Sequence, residues 1–179
     1  GVEQALKTLG TGFIAHPANE DLRRRLSPPA EGGVPALSAR EYWQQLLRLV
    51  YQLLFVLVAE ERGVLMYPEG EAKPAARDTY TSHYSMRRLR ELSRVQAGSA
   101  HPDLWRQLRL VLGALGSTEG EAALALPPLG GQLFAPTVTA DIGGAELSNA
   151  HLLEAFRDLC FVKGDGGGYT AVDYRNLGA

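Results

Sequence analysis

Residues 38–63 read SAREYWQQLLRLVYQLLFVLVAEERG, and the reading of this stretch decides the architecture. Ser38 and Glu41 have the spacing of a capping box, in which the serine oxygen takes the amide three residues on and the glutamate reaches back. That spacing predicts a long helix over about 38–62. Tyr42, Trp43, Leu46, Leu47, Leu49, Val50, Leu53, Leu54, Leu57 and Val58 first recur at i, i+3 and i+4 and then spread around the circumference. Such a helix is central and enclosed by others. Its longest unbroken apolar run, Leu53 to Ala59, has seven residues, against the roughly 20 needed to cross a bilayer, so no membrane partner is expected. Glu60 and Glu61 have the makings of paired acid–base carboxylates but at a helix end read rather as surface charges, and Gly63 as a terminator or a kink.

Upstream, residues 1–27 hold a short helical stretch broken by Gly10 and Gly12, then a second helix led by Pro17 and running to about Leu26. Loops are predicted at about 28–37, 67–78 and 117–145 from their prolines and glycines. A helix over about Tyr84–Val95 places Met86, Leu89 and Leu92 on one face. Another, opening at Pro102 and stopping at Gly116, buries Leu104, Trp105, Leu108, Val111, Leu112 and Leu115. Ser148 caps a helix to about Leu159 that buries Leu152, Leu153, Phe156 and Leu159. Cys160–Val162 and Tyr169–Val172 flank the turn-rich Lys163–Gly168 as a β-hairpin. The expected fold is mainly α: one helical domain over 1–179, built around the 38–62 helix, with a small β-hairpin near the C-terminus.

The chain has 179 residues, 45% of them hydrophobic and 21% charged, which suits a folded globular protein and excludes wholesale disorder. A net charge of −2 excludes a bulk polycation, so any basic function is local. With one cysteine, Cys160, there is no internal disulfide framework. That composition, and the absence of a signal-peptide pattern at Gly1–Gly10, suit the cytoplasm. The missing initiator methionine and the ending Asn176-Leu177-Gly178-Ala179 read as a piece of a longer protein.

The residues that carry chemistry are sparse. His16, His83, His101 and His151 form no paired metal-ligand spacing. Cys160 ends an apolar helix beside Phe161 and reads as a buried structural thiol. Phe161-x-x-Gly164-x-Gly166 has some of the glycines of a nucleotide loop, but a hairpin turn accounts for them better. Pro127-Pro128 lacks the polar residue before and the aromatic after that an amine-binding methylase site needs. Glu69, Glu71 and Lys73 contain the Glu-x-Lys half of a metal-dependent nuclease signature, in a stretch without strand pattern. The remaining feature is basic: Arg87, Arg88, Arg90 and Arg94, within a segment from 85 to 109 of local charge +4, suited to DNA phosphates by salt-dependent contacts. The segment 124–134, with Leu124, Leu126, Leu133 and Phe134, reads as an exposed apolar stretch able to dock another domain.

Several blocks together carry a family resemblance: Leu9–Asn19 (LGTGFIAHPAN), Tyr42–Tyr51 (YWQQLLRLVY), Phe55–Gly63 (FVLVAEERG), Tyr84–Arg90 (YSMRRLR), Leu129–Phe134 (LGGQLF), Glu146–Asn149 (ELSN) and Val172–Ala179 (VDYRNLGA). They resemble the region upstream of the catalytic domain in large bacterial restriction-modification DNA adenine methyltransferases of the type IIG kind, including their phage-defence relatives. The resemblance covers almost the whole chain. It implies a non-catalytic helical connector or scaffold that joins an N-terminal part, sometimes a nuclease, to methylase and target-recognition domains of the same chain. Its implied partner, through the full-length protein, is DNA. S-adenosylmethionine is implied for the parent, and no catalytic, cofactor or metal residue is carried over, because the motifs that hold them are absent from these 179 residues. Two other readings stand beside it: a degenerate or metal-dependent nuclease domain using Glu69, Glu71 and Lys73, and a protein-interaction module using 124–134.

Overall fold

The computed structural model describes residues 1–176. The helix expected over about 38–62 is α3 (Ala39–Glu61), and its capping box is formed in full, with Ser38 Oγ accepting from the Glu41 amide at 3.1 Å and Glu41 Oε2 accepting from the Ser38 amide at 2.9 Å. It ends in a Schellman arrangement: the Val64 amide bonds the Ala59 carbonyl, the Gly63 amide bonds that of Glu60, and Gly63 adopts φ +69°. Only a residue without a Cβ takes that conformation freely.

The other helices are α1 (Val2–Ala15), α2 (Glu20–Leu26), α4 (Pro74–Thr79), α5 (Met86–Val95), α6 (Asp103–Gly116), α7 (Ala140–Gly143) and α8 (Asn149–Cys160). Helix α3 packs on α1, α5 and α7 but is not enclosed as expected, since its Trp43, Tyr51 and Phe55 are exposed. A hairpin of β1 (Phe161–Lys163) and β2 (Tyr169–Ala171) follows, antiparallel with Val162 opposite Thr170. The fold is mainly helical with a small C-terminal hairpin, as the sequence pattern predicts. One continuous apolar cluster runs through α1, α3, α5, α6 and α8, with Val50, Leu53, Val56, Val111, Leu152 and Phe156 at its centre. Phe13 and Trp105 meet edge to face at 5.2 Å between ring centroids, and the Trp105 indole donates to the Ala145 carbonyl at 2.8 Å. No described helix is long and apolar enough to cross a membrane.

Several local expectations need correction. Gly10 and Gly12 do not break the first helix; α1 runs through both. They are there for approach rather than for turning, since a Cβ on Gly12 would sit 2.7 Å from His151 Cβ and Leu147 Cδ1. The second helix begins at Glu20, not Pro17, with Asn19 as the residue before it. The 67–78 loop contains the start of α4, where Pro74 occupies the first turn and loses no hydrogen bond by lacking an amide. Tyr84 belongs to a π-helical turn, Tyr80–Tyr84, so the following helix starts at Met86 with Ser85 as its cap. The 117–145 segment carries short 3₁₀ turns and α7, and its Leu124, Leu126 and Phe134 are buried in the common core. The docking stretch expected at 124–134 is therefore already covered by this chain's own helices.

Candidate functional site: a cleft closed by two glutamates

The end of α3, the π-turn, the start of α5 and the segment after β2 enclose a cleft of about 670 Å³. Leu57, Leu65, Met66 and Val172 give it an apolar floor, and Glu60, Glu61, Arg77, Tyr80, Thr81, Arg87, Arg90, Asp173 and Arg175 bring polar groups to its walls.

Glu60 is the pivot. Its Oε1 accepts the Tyr80 hydroxyl and the Met86 amide (2.7 Å), and its Oε2 accepts the Arg87 amide at 3.0 Å. Met86 and Arg87 open α5, so a carboxylate from α3 satisfies two of the amides that no helix can satisfy for itself, and Ser85 Oγ takes that of Arg88. The negative group also lies at the positive end of the α5 dipole. Burial pushes the Glu60 carboxyl up, against the Tyr80 hydroxyl, the two amides and Arg90, which all pull it down. Glu61, one residue on, pairs with Arg90 at 2.5 Å, with both side chains 18% exposed, and accepts the Tyr174 amide at 3.1 Å. Together the two acids tie α3 to α5 and to the C-terminal segment. They are not the surface charges the sequence suggests. A signal was present: two carboxylates in the last turn of a helix oppose its dipole, and such a placement calls for partners supplied from elsewhere.

The four arginines expected to meet DNA divide. Arg90 is committed to Glu61, and Arg88 reaches the His83 carbonyl (3.2 Å) and Gln107 Oε1 (3.3 Å). Arg94 is exposed and loosely paired with Glu91 at 3.4 Å. Arg87 is exposed, lines the cleft and has no side-chain partner among the described residues. Elsewhere in the basic segment, Arg106 pairs with Glu146 and Arg109 bonds the Gly143 and Ala145 carbonyls. Arg90 and Arg106 are thus paired with acids from outside the segment, Arg88 and Arg109 are held by neutral oxygens, and Arg87 and Arg94 are left outward.

Glu69, Glu71 and Lys73 are exposed on the loop before α4, and no three His, Cys, Asp or Glu side chains gather to hold a metal among the described residues. Cys160 is fully buried, its thiol pushed up to about 12 by that burial. Lys163–Gly168 closes the β-hairpin, with the Gly167 amide bonding the Gly164 carbonyl. It opens no helix, so these residues do not fit the phosphate- or methionine-holding loop of a nucleotide-type cofactor. Leu177, Gly178 and Ala179, which end the last block of the family resemblance, lie outside the described residues. No family model, curated protein or solved structure matches this chain.

Proposed function

We propose that the chain is a non-catalytic helical connector or scaffold domain of a bacterial restriction-modification, phage-defence type, DNA adenine methyltransferase, with a small contribution to non-specific DNA phosphate contacts. One observation carries the non-catalytic part: Glu60 and Glu61, two of the three acids lining the cleft, are turned inward. Glu60 and Glu61 spend their oxygens on the Met86, Arg87 and Tyr174 amides, the Tyr80 hydroxyl and Arg90. Carboxylates in acid–base or metal chemistry must offer oxygens to a substrate or ion; these act as clamps between helices. The methyltransferase context rests on the sequence blocks that resemble that family. Methyl transfer from S-adenosylmethionine to an extruded adenine belongs, in this reading, to other domains of the parent.

Sequencing the reading frame beyond Ala179 tests the context. It is expected to continue into a strand-linked glycine loop for S-adenosylmethionine and an Asn-Pro-Pro-aromatic motif. A frame without them overturns the proposal. The phosphate contacts are tested by titrating duplex DNA with the purified chain across a salt series. Reversing Arg87 and Arg94 to glutamate is expected to flatten the slope of log K against log salt by about 2, since each lost phosphate contact removes about 0.9. An unchanged slope in the folded double variant removes α5 from any DNA role.

A further inference from the structure

We infer that the cleft between α3 and α5 is a binding site for a small phosphorylated molecule with a partly apolar body, of about nucleotide size. The volume comes first: about 670 Å³ falls within the range of small-molecule pockets, and a lining with more polar than apolar side chains suits a charged ligand. The charge balance decides the ligand's sign. Glu61 is paired with Arg90, and Asp173 with Arg175 at 3.1 Å. Glu60 accepts from Tyr80 and the two α5 amides. Each of these acids therefore already has a partner. Two guanidinium groups on the same walls have no carboxylate partner among the described residues: Arg77, which spends Nη1 on the Tyr67 carbonyl, and Arg87, whose side chain bonds nothing. The planar fork of arginine suits the oxygens of a phosphate, which it can hold through two parallel bonds. Met66 and Val172, partly exposed, and Ala171, exposed, offer the apolar surface against which the ligand's body would lie, and Thr81 stands exposed at the rim.

This inference uses the geometry of the chain alone and does not require the methyltransferase context, so either can fail without the other. The test is an amide-resolved NMR titration of the purified chain with adenosine monophosphate, alongside adenosine and inorganic phosphate as separate arms. Saturable shifts are expected at Thr81, Arg87 and Val172, with adenosine and phosphate each binding at least tenfold more weakly. Arg87→Gln is expected to weaken the nucleotide at least fivefold with an unchanged unfolding midpoint. Thr81→Glu, which puts a negative charge at the exposed rim without touching the core, is expected to abolish binding. No saturable shift at millimolar nucleotide, shifts confined to other faces, or indifference to both variants overturns the proposal. Phosphate binding as tightly as the nucleotide overturns its apolar half.

Discussion

Gly12 and Gly113 both lie inside helices, yet they differ in their tolerance of a methyl group. Gly12 is where α1 lies against α8, and an added Cβ would meet His151 Cβ and Cγ and Leu147 Cδ1 at 2.7 Å. Overpacking of this kind typically costs 1–3 kcal/mol, against a helix-propensity gain of about 1. Gly12→Ala is therefore expected to destabilise the protein, by up to about 2 kcal/mol. Gly113 is exposed in α6 with nothing within 4 Å of such a carbon, so Gly113→Ala is expected to stabilise by about 0.5–1 kcal/mol. Urea unfolding of the two variants checks both signs. Asp141 supplies a pH dependence. A hydrogen bond from Gln45 at 2.5 Å, together with Arg25, holds its carboxyl below the ordinary value near 3.8. A lowered folded pKa means stability that is present above about 3.8 and lost as pH falls through the folded value. Asp141→Asn is expected to be less stable than the parent at pH 7. The gap should close in unfolding experiments carried out below pH 3.8.

Helix α5 is held by groups that are distant in sequence, which makes it the element most sensitive to single deletions. Arg90→Ala leaves the half-buried Glu61 with the Tyr174 amide alone, and losing a charge-assisted bond of this kind costs about 1–3 kcal/mol. In native-state hydrogen exchange, the amides of α5 and of the segment around Tyr174 are expected to open faster, while those of α1 and α8 keep their protection. Arg94→Ala is the control: its pair with Glu91 is 3.4 Å long with both side chains more than half exposed, so a change within about 0.5 kcal/mol is expected. The same contrast explains how far the sequence could be read. Caps made within a few residues were legible, as with Ser38 and Glu41 on α3, Ser148 on α8 and the Gly63 terminator. Caps made across the fold were not. Glu60 closes α5, Asn149 Oδ1 takes the Leu104 amide at the start of α6 (3.1 Å), and Gln45 Oε1 takes the Asp141 amide in α7 (2.9 Å). No local periodicity encodes a partner 26, 45 or 96 residues away, and the cleft, built from such contacts, was invisible for the same reason. The arginine cluster was found as a cluster. Its division into paired and outward-facing members depends on acids contributed by other helices.

At the scale of the molecule, the apolar cluster is continuous from Ala5 and Leu6 in α1 to Cys160 and Tyr174 near the C-terminus, and no buried side-chain nitrogen or oxygen among the described residues lacks a partner. Nothing in that core marks a seam along which one half could melt before the other, and the expectation is a single cooperative transition. Trp105 and Cys160 make this testable because both are buried in different parts of the core: Trp105 is 1% exposed on α6, and Cys160 is fully buried where α8 meets the hairpin. The thiolate is the reactive form of cysteine, and burial has pushed the Cys160 thiol up to about 12. Labelling at neutral pH therefore requires an opening that brings the sulfur into water and restores an ordinary acidity. If the core is one unit, that opening is global unfolding. The labelling rate by a disulfide reagent, measured at increasing sub-denaturing urea, is expected to rise with the same urea dependence as the unfolding equilibrium followed by tryptophan fluorescence. A shallower dependence would mean that the α8–hairpin junction opens by itself, and that the Tyr174 hydroxyl, which donates to the Leu159 carbonyl, does not hold the C-terminal segment to the core.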